Sequence, residues 1–386
     1  MDFQRLILLA GLALVLMLLW QSWLQFDTER NPPITTEQKT TATDGTTTKA
    51  TSTSALSETG DVPSAPSAPA TSLSVTAASP LVSESALKSA QRVVVETDLL
   101  RVEIDTQGGD LRVLELLTYP VSIDEPEHPF RLLNDTDGDL FVIQSGILPK
   151  EGHELPNHET LFLPERLAYQ LGTNDSVTAT LGWSAPDGIT YRKLYTFHRN
   201  SYFFDLRFEV DNASGEEWSG YLYGQLLRTE VTQKGKIGFL GRLPSYIGGA
   251  IYTPEEKYDK IKFGHMRDGN LSQRTSTGWV AMLQHYFVGA FLLPEASSYE
   301  FYSSVTDHYS EPRYHLGFKH LQPSVVAAGR QGSVGARLYV GPKEQQRMKT
   351  ADQKLELTVD YGWLTPLSSP LFWLMTYINN IFHNWG

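Results

Sequence analysis

The chain has 386 residues, with 32 Lys and Arg against 44 Asp and Glu and a formal net charge of −12. That length accommodates at least one substantial core and two or three domains. The acidic balance, without a basic block, excludes a nucleic-acid surface built on phosphate neutralisation. The absence of cysteine excludes disulfides, thiol nucleophiles and Cys-ligated metals, and leaves the compartment open.

Residues 1–26 read as a transmembrane anchor. Leu6 to Trp20 carry no charge or strongly polar group, and Leu6, Ile7, Leu8, Leu9, Leu12, Leu14, Val15, Leu16, Leu18 and Leu19 supply its apolar surface. With its flanks the stretch reaches roughly 20 helical residues, enough for a hydrocarbon layer of about 30 Å. Trp20 and Trp23 suit the membrane interface. A cleaved signal peptide and a buried core helix are the alternatives; the small-x-small cleavage pattern is missing after the apolar run. Arg5 precedes the span while Asp27 and Glu29 come after it, which points to a cytoplasmic N-terminus and a translocated remainder.

Residues 27–90 read as a disordered Thr/Ser/Ala/Pro-rich tether. Eleven of residues 31–60 are threonine, and Pro63, Pro66, Pro69 and Pro80 punctuate the remainder. Isolated Ile34, Leu56, Val62, Leu73 and Val75 bury too little to offset the ordering of the backbone. The alternative is an ordered extension wrapped on the domain. Leu81–Lys88 reads as a short helical approach.

Residues 91–360 read as a large, mostly antiparallel β-sandwich. Leu100, Val102 and Ile104 alternate with charged residues, and Gly108-Gly109-Asp110 marks a turn before Leu111–Leu117. Tyr202, Phe204, Leu206, Phe208 and Val210 alternate with Asp205, Arg207 and Glu209. Further strands are expected at Gly188–His198, Gly220–Thr229, Trp279–Leu293, Phe301–Val305, Arg313–Phe318, Val334–Val340 and Leu355–Val359. Pro342–Ala351 is a short helix candidate.

Residues 361–386 read as an amphipathic interfacial segment. Leu367, Leu371, Leu374, Ile378 and Phe382 recur every three or four residues, and Phe372, Trp373 and Tyr377 add interfacial aromatics. An ordinary helix packed on the domain is the alternative.

Signatures of catalysis are missing: there is no Walker loop, G-x-G-x-x-G, H-E-x-x-H or G-x-S-x-G. The spacing of His308, His315 and His320 prescribes no shared metal site, and they read as surface or loop histidines. No catalytic residue, metal or cofactor is expected. Tyr252, Glu255, Lys257 and Tyr258 form a mixed tyrosine and charge stretch that reads as a loop or short helix, or as a partner contact. The run from Thr277 to Phe287, with Trp279 and Tyr286, reads as sheet core, or as an apolar cleft for an extended polypeptide.

Several motifs carry a family resemblance in the same order. They are Met1-Asp2-x-Gln4-Arg5, Gly108-Gly109-Asp110, Tyr252–Phe263, Gly278-Trp279-Val280-Ala281-Met282-Leu283-Gln284, Leu338-Tyr339-Val340-Gly341-Pro342 and Leu357-Thr358-Val359-Asp360-Tyr361-Gly362-Trp363-Leu364. Pro370-Leu371-Phe372 and Asn384-Trp385-Gly386 complete the set. Together they resemble the amino-terminal portion of the YidC membrane protein insertase family of Gram-negative type. The resemblance implies an inner-membrane anchor, a periplasmic supersandwich domain of galactose-mutarotase-like fold and an interfacial helix. It further implies five later membrane spans bearing a groove arginine, which no residue of this chain matches. Non-covalent insertion and chaperoning of nascent inner-membrane proteins, alone or with the Sec translocon and its accessory proteins, is the implied activity, with the lipid bilayer as a partner. A periplasmic scaffold or protein-binding module and a carbohydrate-binding or epimerase domain are the alternative readings.

Overall fold

The computed structural model describes residues 62–66, 87–136, 138–150, 154–230, 246–295, 297–307, 309–351 and 353–359. The expected anchor, the interfacial segment and most of the tether lie outside them. Among the described residues no helix is long and apolar enough to cross a membrane.

In chain order the first ten strands are β1 (Arg92–Glu96), β2 (Leu100–Asp105), β3 (Asp110–Ser122), β4 (Glu125–Leu133), β5 (Phe141–Pro149), β6 (Leu163–Pro164), β7 (Ala168–Gln170), β8 (Ser176–Ser184), β9 (Ile189–His198) and β10 (Phe203–Asn212). The second ten are β11 (Trp218–Thr229), β12 (Gly248–Thr253), β13 (Lys257–Ile261), β14 (Ser272–Thr275), β15 (Gly278–Gln284), β16 (Phe287–Leu293), β17 (Tyr299–Thr306), β18 (Arg313–His320), β19 (Ser324–Val326) and β20 (Arg330–Pro342). They form two sheets. The large one runs β14-β17-β18-β11-β5-β3-β2-β1-β7, with β19 on β11 and β4 on β3; the small one runs β13-β12-β15-β16-β20-β10-β9-β8-β6. Pairing is antiparallel throughout except between β1 and β7.

The sheets face each other across an apolar core. On β10, Phe204, Leu206, Phe208 and Val210 are buried while Arg207 and Asp211 are exposed, as a period of two requires. Leu222 and Leu226 of β11 enter the same core, where Phe291 of β16 meets Phe318 of β18 edge to face at 5.2 Å. Each such side chain contributes about 1.5–3 kcal/mol on full burial. The expected turn at Gly108-Gly109 is present, with both residues at positive φ (77° and 62°). Gly278 holds a close approach: a Cβ there would lie 2.0 Å from the carbonyl oxygen of Tyr252.

Five local expectations are corrected. Trp279–Leu293 is not one strand but the hairpin β15–β16, turning at His285-Tyr286, with His285 at φ 28°. No Gly, Pro, Asn or Asp marks that turn, and both strands are buried along nearly their whole length, so their pattern shows no break. Tyr252–Lys260 is not a loop or helix but most of the hairpin β12–β13. Leu355–Thr358 is a 3-10 turn rather than a strand, closed by Thr358 Oγ1 donating to the Leu355 carbonyl. Pro342 ends β20 instead of opening a helix; the helix is Gln345–Met348. Residues 87–90 are not helical, and residues 81–86 lie outside the described set.

Candidate functional site

Three of the buried charged side chains, Asp110, Arg112 and Lys193, gather at one seam. β3 and β5 share a single paired position, Leu111 with Ile143. Lys193 crosses from β9 of the small sheet into that gap and donates from Nζ to the carbonyls of Gly108 (2.8 Å) and Ser145 (3.0 Å). Asp110 lies beside it, 3.4 Å from Arg112 and accepting from Gln144 Nε2 at 3.1 Å. Burial pushes the Asp110 carboxyl up to about 6, against the opposing pull of Arg112 and Lys193. Burial pushes the Lys193 ammonium down to about 7, against the pull of Asp110. Tyr195 Oη donates to the Gly109 carbonyl at 2.8 Å and is raised well beyond an ordinary phenol by burial. With all of these side chains buried, the seam ties the sheets together and presents no opening to a ligand.

The outer face of the large sheet is different. Leu222, Gly224 and Leu226 point into the core, so Tyr221, Tyr223 and Gln225 of β11 point outward, beside Leu148, Gly146 and Gln144 of β5 and, from Tyr223 on, Lys319 and Gly317 of β18. Loop 154–160 crosses Gly146, where a Cβ would lie 2.6 Å from the Asn157 Cα. Tyr223 Oη lies 2.7 Å from His158 Nδ1 and accepts from the His158 backbone N–H at 3.2 Å. Burial raises the Tyr223 phenol well above its usual range. A chain of amides continues from there: Gln225 Nε2 donates to Gln144 Oε1 (2.9 Å), and Tyr302 Oη donates to Gln225 Oε1 (2.7 Å). Leu148, Tyr221 and Tyr223 form a separate apolar cluster on which Val62 and Ala65 rest.

Across β9, β10 and the adjoining part of β20 the outer face of the small sheet is a solvated charge lattice, whereas across β12, β15 and β16 the same face carries the buried Tyr252, Trp279 and Leu292. Arg192 pairs with Glu209 at 2.8 Å, Gln331 donates to Asp211 at 2.9 Å, and His198 meets Asp205 at 3.0 Å. Two shallow depressions of about 530 and 480 Å³ lie on it, the first lined by Asp205, Arg207, Arg337 and Gln353, the second by Arg192, Glu209, Asp211 and Gln331. Among the described residues no three His, Asp or Glu side chains gather as a metal site would need.

Of the six residues expected on a partner or cleft surface, Trp279 is fully buried and Tyr252 nearly so, stacked at 6.1 Å between ring centroids. The Trp279 indole donates to the Gln353 carbonyl at 3.0 Å. Glu255 and Lys257 are exposed at the β12–β13 turn, and Tyr258 is half-buried against Trp279. Tyr286, 74% exposed, sits at the β15–β16 turn and is not part of that group. His315 and His320, expected at the surface, are buried in β18; burial pushes the His320 imidazole down to about 4. His308 lies outside the described residues. Sequence reading missed Tyr221, Tyr223 and Lys319, although Tyr221-Leu222-Tyr223 alternates in the manner of a strand with two useful faces.

Residues 92–374 match the family model of the YidC periplasmic domain. Over its full length the chain is 36% identical to the membrane protein insertase YidC of Methylococcus capsulatus, covering 66% of that protein. It is 35% identical to the protein of that name from Methylobacillus flagellatus and 34% identical to that from Haemophilus influenzae, covering all of this chain and 65% of each of them. The chain therefore spans somewhat less than two thirds of the length of these curated relatives. Among solved structures it is similar to a galactose mutarotase related enzyme from Lactobacillus acidophilus, with TM-score 0.40 and 13% identity over 65% of this chain and 97% of that one. A galactose mutarotase-like protein from Lactobacillus casei gives TM-score 0.41 and 9% identity over 64% and 99%.

Proposed function

The chain belongs to the YidC periplasmic domain family, and from that membership we propose that it supplies the anchor and periplasmic domain of a bacterial inner-membrane protein insertase. The observation that carries this reading is the match over residues 92–374, joined to an alignment with relatives of that name that takes in the whole chain. In this reading residues 1–26 hold the chain in the inner membrane with a cytoplasmic N-terminus, residues 27–90 are the tether, and residues 91–360 stand in the periplasm. Residues 361–386 lie along the membrane interface and lead toward the insertion machinery, which we place in the part of the relatives outside the alignment.

Insertion in this scheme is non-covalent. A nascent membrane segment leaves a partly hydrated groove for lipid because transfer of its apolar surface out of water is favourable, while a groove arginine holds its polar parts in passage. The periplasmic domain contributes a rigid β platform close to the emerging chain and to the Sec translocon and its accessory proteins. Its tight seam and apolar core suit a scaffold and need no reactive group.

Site-specific photo-crosslinking in the full-length protein tests the reading. Nascent inner-membrane proteins should crosslink to the membrane-embedded part, and protease added from the periplasmic side should reach residues 91–360. Folded, membrane-inserted protein that never crosslinks a nascent chain overturns the insertase assignment; cytoplasmic accessibility of residues 91–360 overturns the orientation. The carbohydrate alternative gains little from the described surface. Its one exposed histidine–carboxylate pair that borders a depression, His198 with Asp205, is closed on itself at 3.0 Å instead of flanking space for a sugar ring.

A further inference from the structure

Five residues that precede the first strand lie on the outer face of the large sheet. Val62, Pro63, Ala65 and Pro66 are half-buried, and Ser64 is exposed. Val62 and Ala65 pack on Leu148, Tyr221 and Tyr223. The carbonyl of Ser64 accepts from Lys319 Nζ at 3.2 Å. Lys319 is itself positioned, 3.7 Å from Glu300 and 6.0 Å from the centre of the Tyr302 ring. The segment touches β5, β11 and β18, which are interior strands of the sheet, so it adds no strand to an edge. It is held by aromatic and aliphatic side chains and by one main-chain carbonyl.

Its sequence explains the mode of contact. Pro63-Ser64-Ala65-Pro66-Ser67-Ala68-Pro69 repeats with a period of three. Proline fixes φ near −65° and pushes the preceding residue to extended backbone, so Val62, Ala65 and Ala68 favour the polyproline II conformation. That helix has three residues per turn, so the prolines share one side, the alanines a second and the serines a third. A chain already extended loses little conformational freedom on docking, and aromatic surfaces with a hydrogen-bond donor at the rim are suited to receive it.

We infer that the face formed by Leu148, Tyr221, Tyr223 and Lys319 is a binding site for extended polypeptide segments in which a small apolar residue precedes proline. Residues 62–66 are its resident ligand in cis. A segment of the same chain reaches an effective concentration far above that of a free one, so a segment from another polypeptide enters only by outcompeting it. The site stands on these contacts alone and does not depend on the insertase reading.

The test uses the full chain in nanodiscs and a fluorescein-labelled peptide with the sequence of residues 60–70, monitored by anisotropy. A chain with residues 62–69 replaced by Gly-Ser repeats should bind the peptide at least tenfold more tightly than the intact chain. In that background Tyr221→Ala should weaken binding at least fivefold, and Lys319→Met should weaken it severalfold at unchanged thermal midpoint, which separates lost contact from lost folding. Equal binding by replaced and intact chains, no binding by the replaced chain, or binding that both substitutions leave unchanged overturns the assignment. No insertion readout is involved, so failure here leaves the family reading untouched.

Discussion

On the small sheet, Arg192, Glu209 and Ser333 stand side by side across β9, β10 and β20, with Thr190, Asp211 and Gln331 in the next row. On the large sheet the corresponding central rows are Leu148 with Tyr221, then Gly146, Tyr223 and Lys319, then Gln144, Gln225 and Gly317. The first face matches its charges across neighbouring strands and leaves them to water. The second carries aromatic rings and amides that are buried although they point away from the core, because loop 154–160 and residues 62–66 lie over them. Two sets of strands of equal geometry therefore differ in what they require: the rows on β9, β10 and β20 are complete when solvated, and those on β5, β11 and β18 are complete only when covered.

The largest test of that contrast concerns Lys193. Its replacement by Met strands two carbonyls and leaves Asp110 with less compensating charge, so a loss of about 3–5 kcal/mol is expected in urea unfolding of the full chain. A loss below about 1 kcal/mol would mean that the seam is wetter than its burial implies.

The same pair gives a pH signature. Asp110 is raised from 3.8 to about 6, so its contribution to stability is full below pH 3.8 and is lost as pH rises through about 6. Lys193 is lowered from 10.5 to about 7, so its contribution is full above pH 10.5 and is lost as pH falls through about 7. The stability of the native chain minus that of an Asp110→Asn, Lys193→Met double variant should therefore pass through a minimum near pH 6–7. A flat difference profile would place both groups at ordinary values.

Tyr302→Phe is expected to cost about 1–2 kcal/mol, since it removes the donor to a buried Gln225 oxygen. Arg192→Gln on the opposite face should change stability by under about 0.5 kcal/mol, and less in high salt. If the two substitutions cost the same, the distinction between the faces fails.

These faces are unequally legible in the sequence. β10 alternates apolar and charged residues, and its strand and inward set come directly from that period. β5 and β11 are buried almost end to end, so alternation disappears and only length and flanking turns remain as signals. The pattern around Trp279 suits either the core or a cleft, and its burial decides for the core. Lys193 looks like one more outward charge in β9, yet it falls on the inward phase with Tyr191 and Tyr195; a strict reading of period two flags it. No sequence pattern could bring Val62 to Tyr221, because that contact joins a segment of low apolar content to a strand about 160 residues later.

The single paired position between β3 and β5 has a mechanical consequence. The large sheet behaves as two ribbons, β14-β17-β18-β11-β5 and β3-β2-β1-β7, joined along that line by the Leu111–Ile143 pair, by the main-chain bridge between Asn134 and Phe141 at the end of β4, and by the ammonium of Lys193. After the contacts of residues 62–66 with β5, β11 and β18, the first strand of the chain is β1, in the second ribbon. A pull on the amino-terminal side would first strip residues 62–66 from Tyr221 and then load the second ribbon, concentrating shear on the gap. Under tension the domain should yield by parting there, with β5, β11 and β18 still assembled.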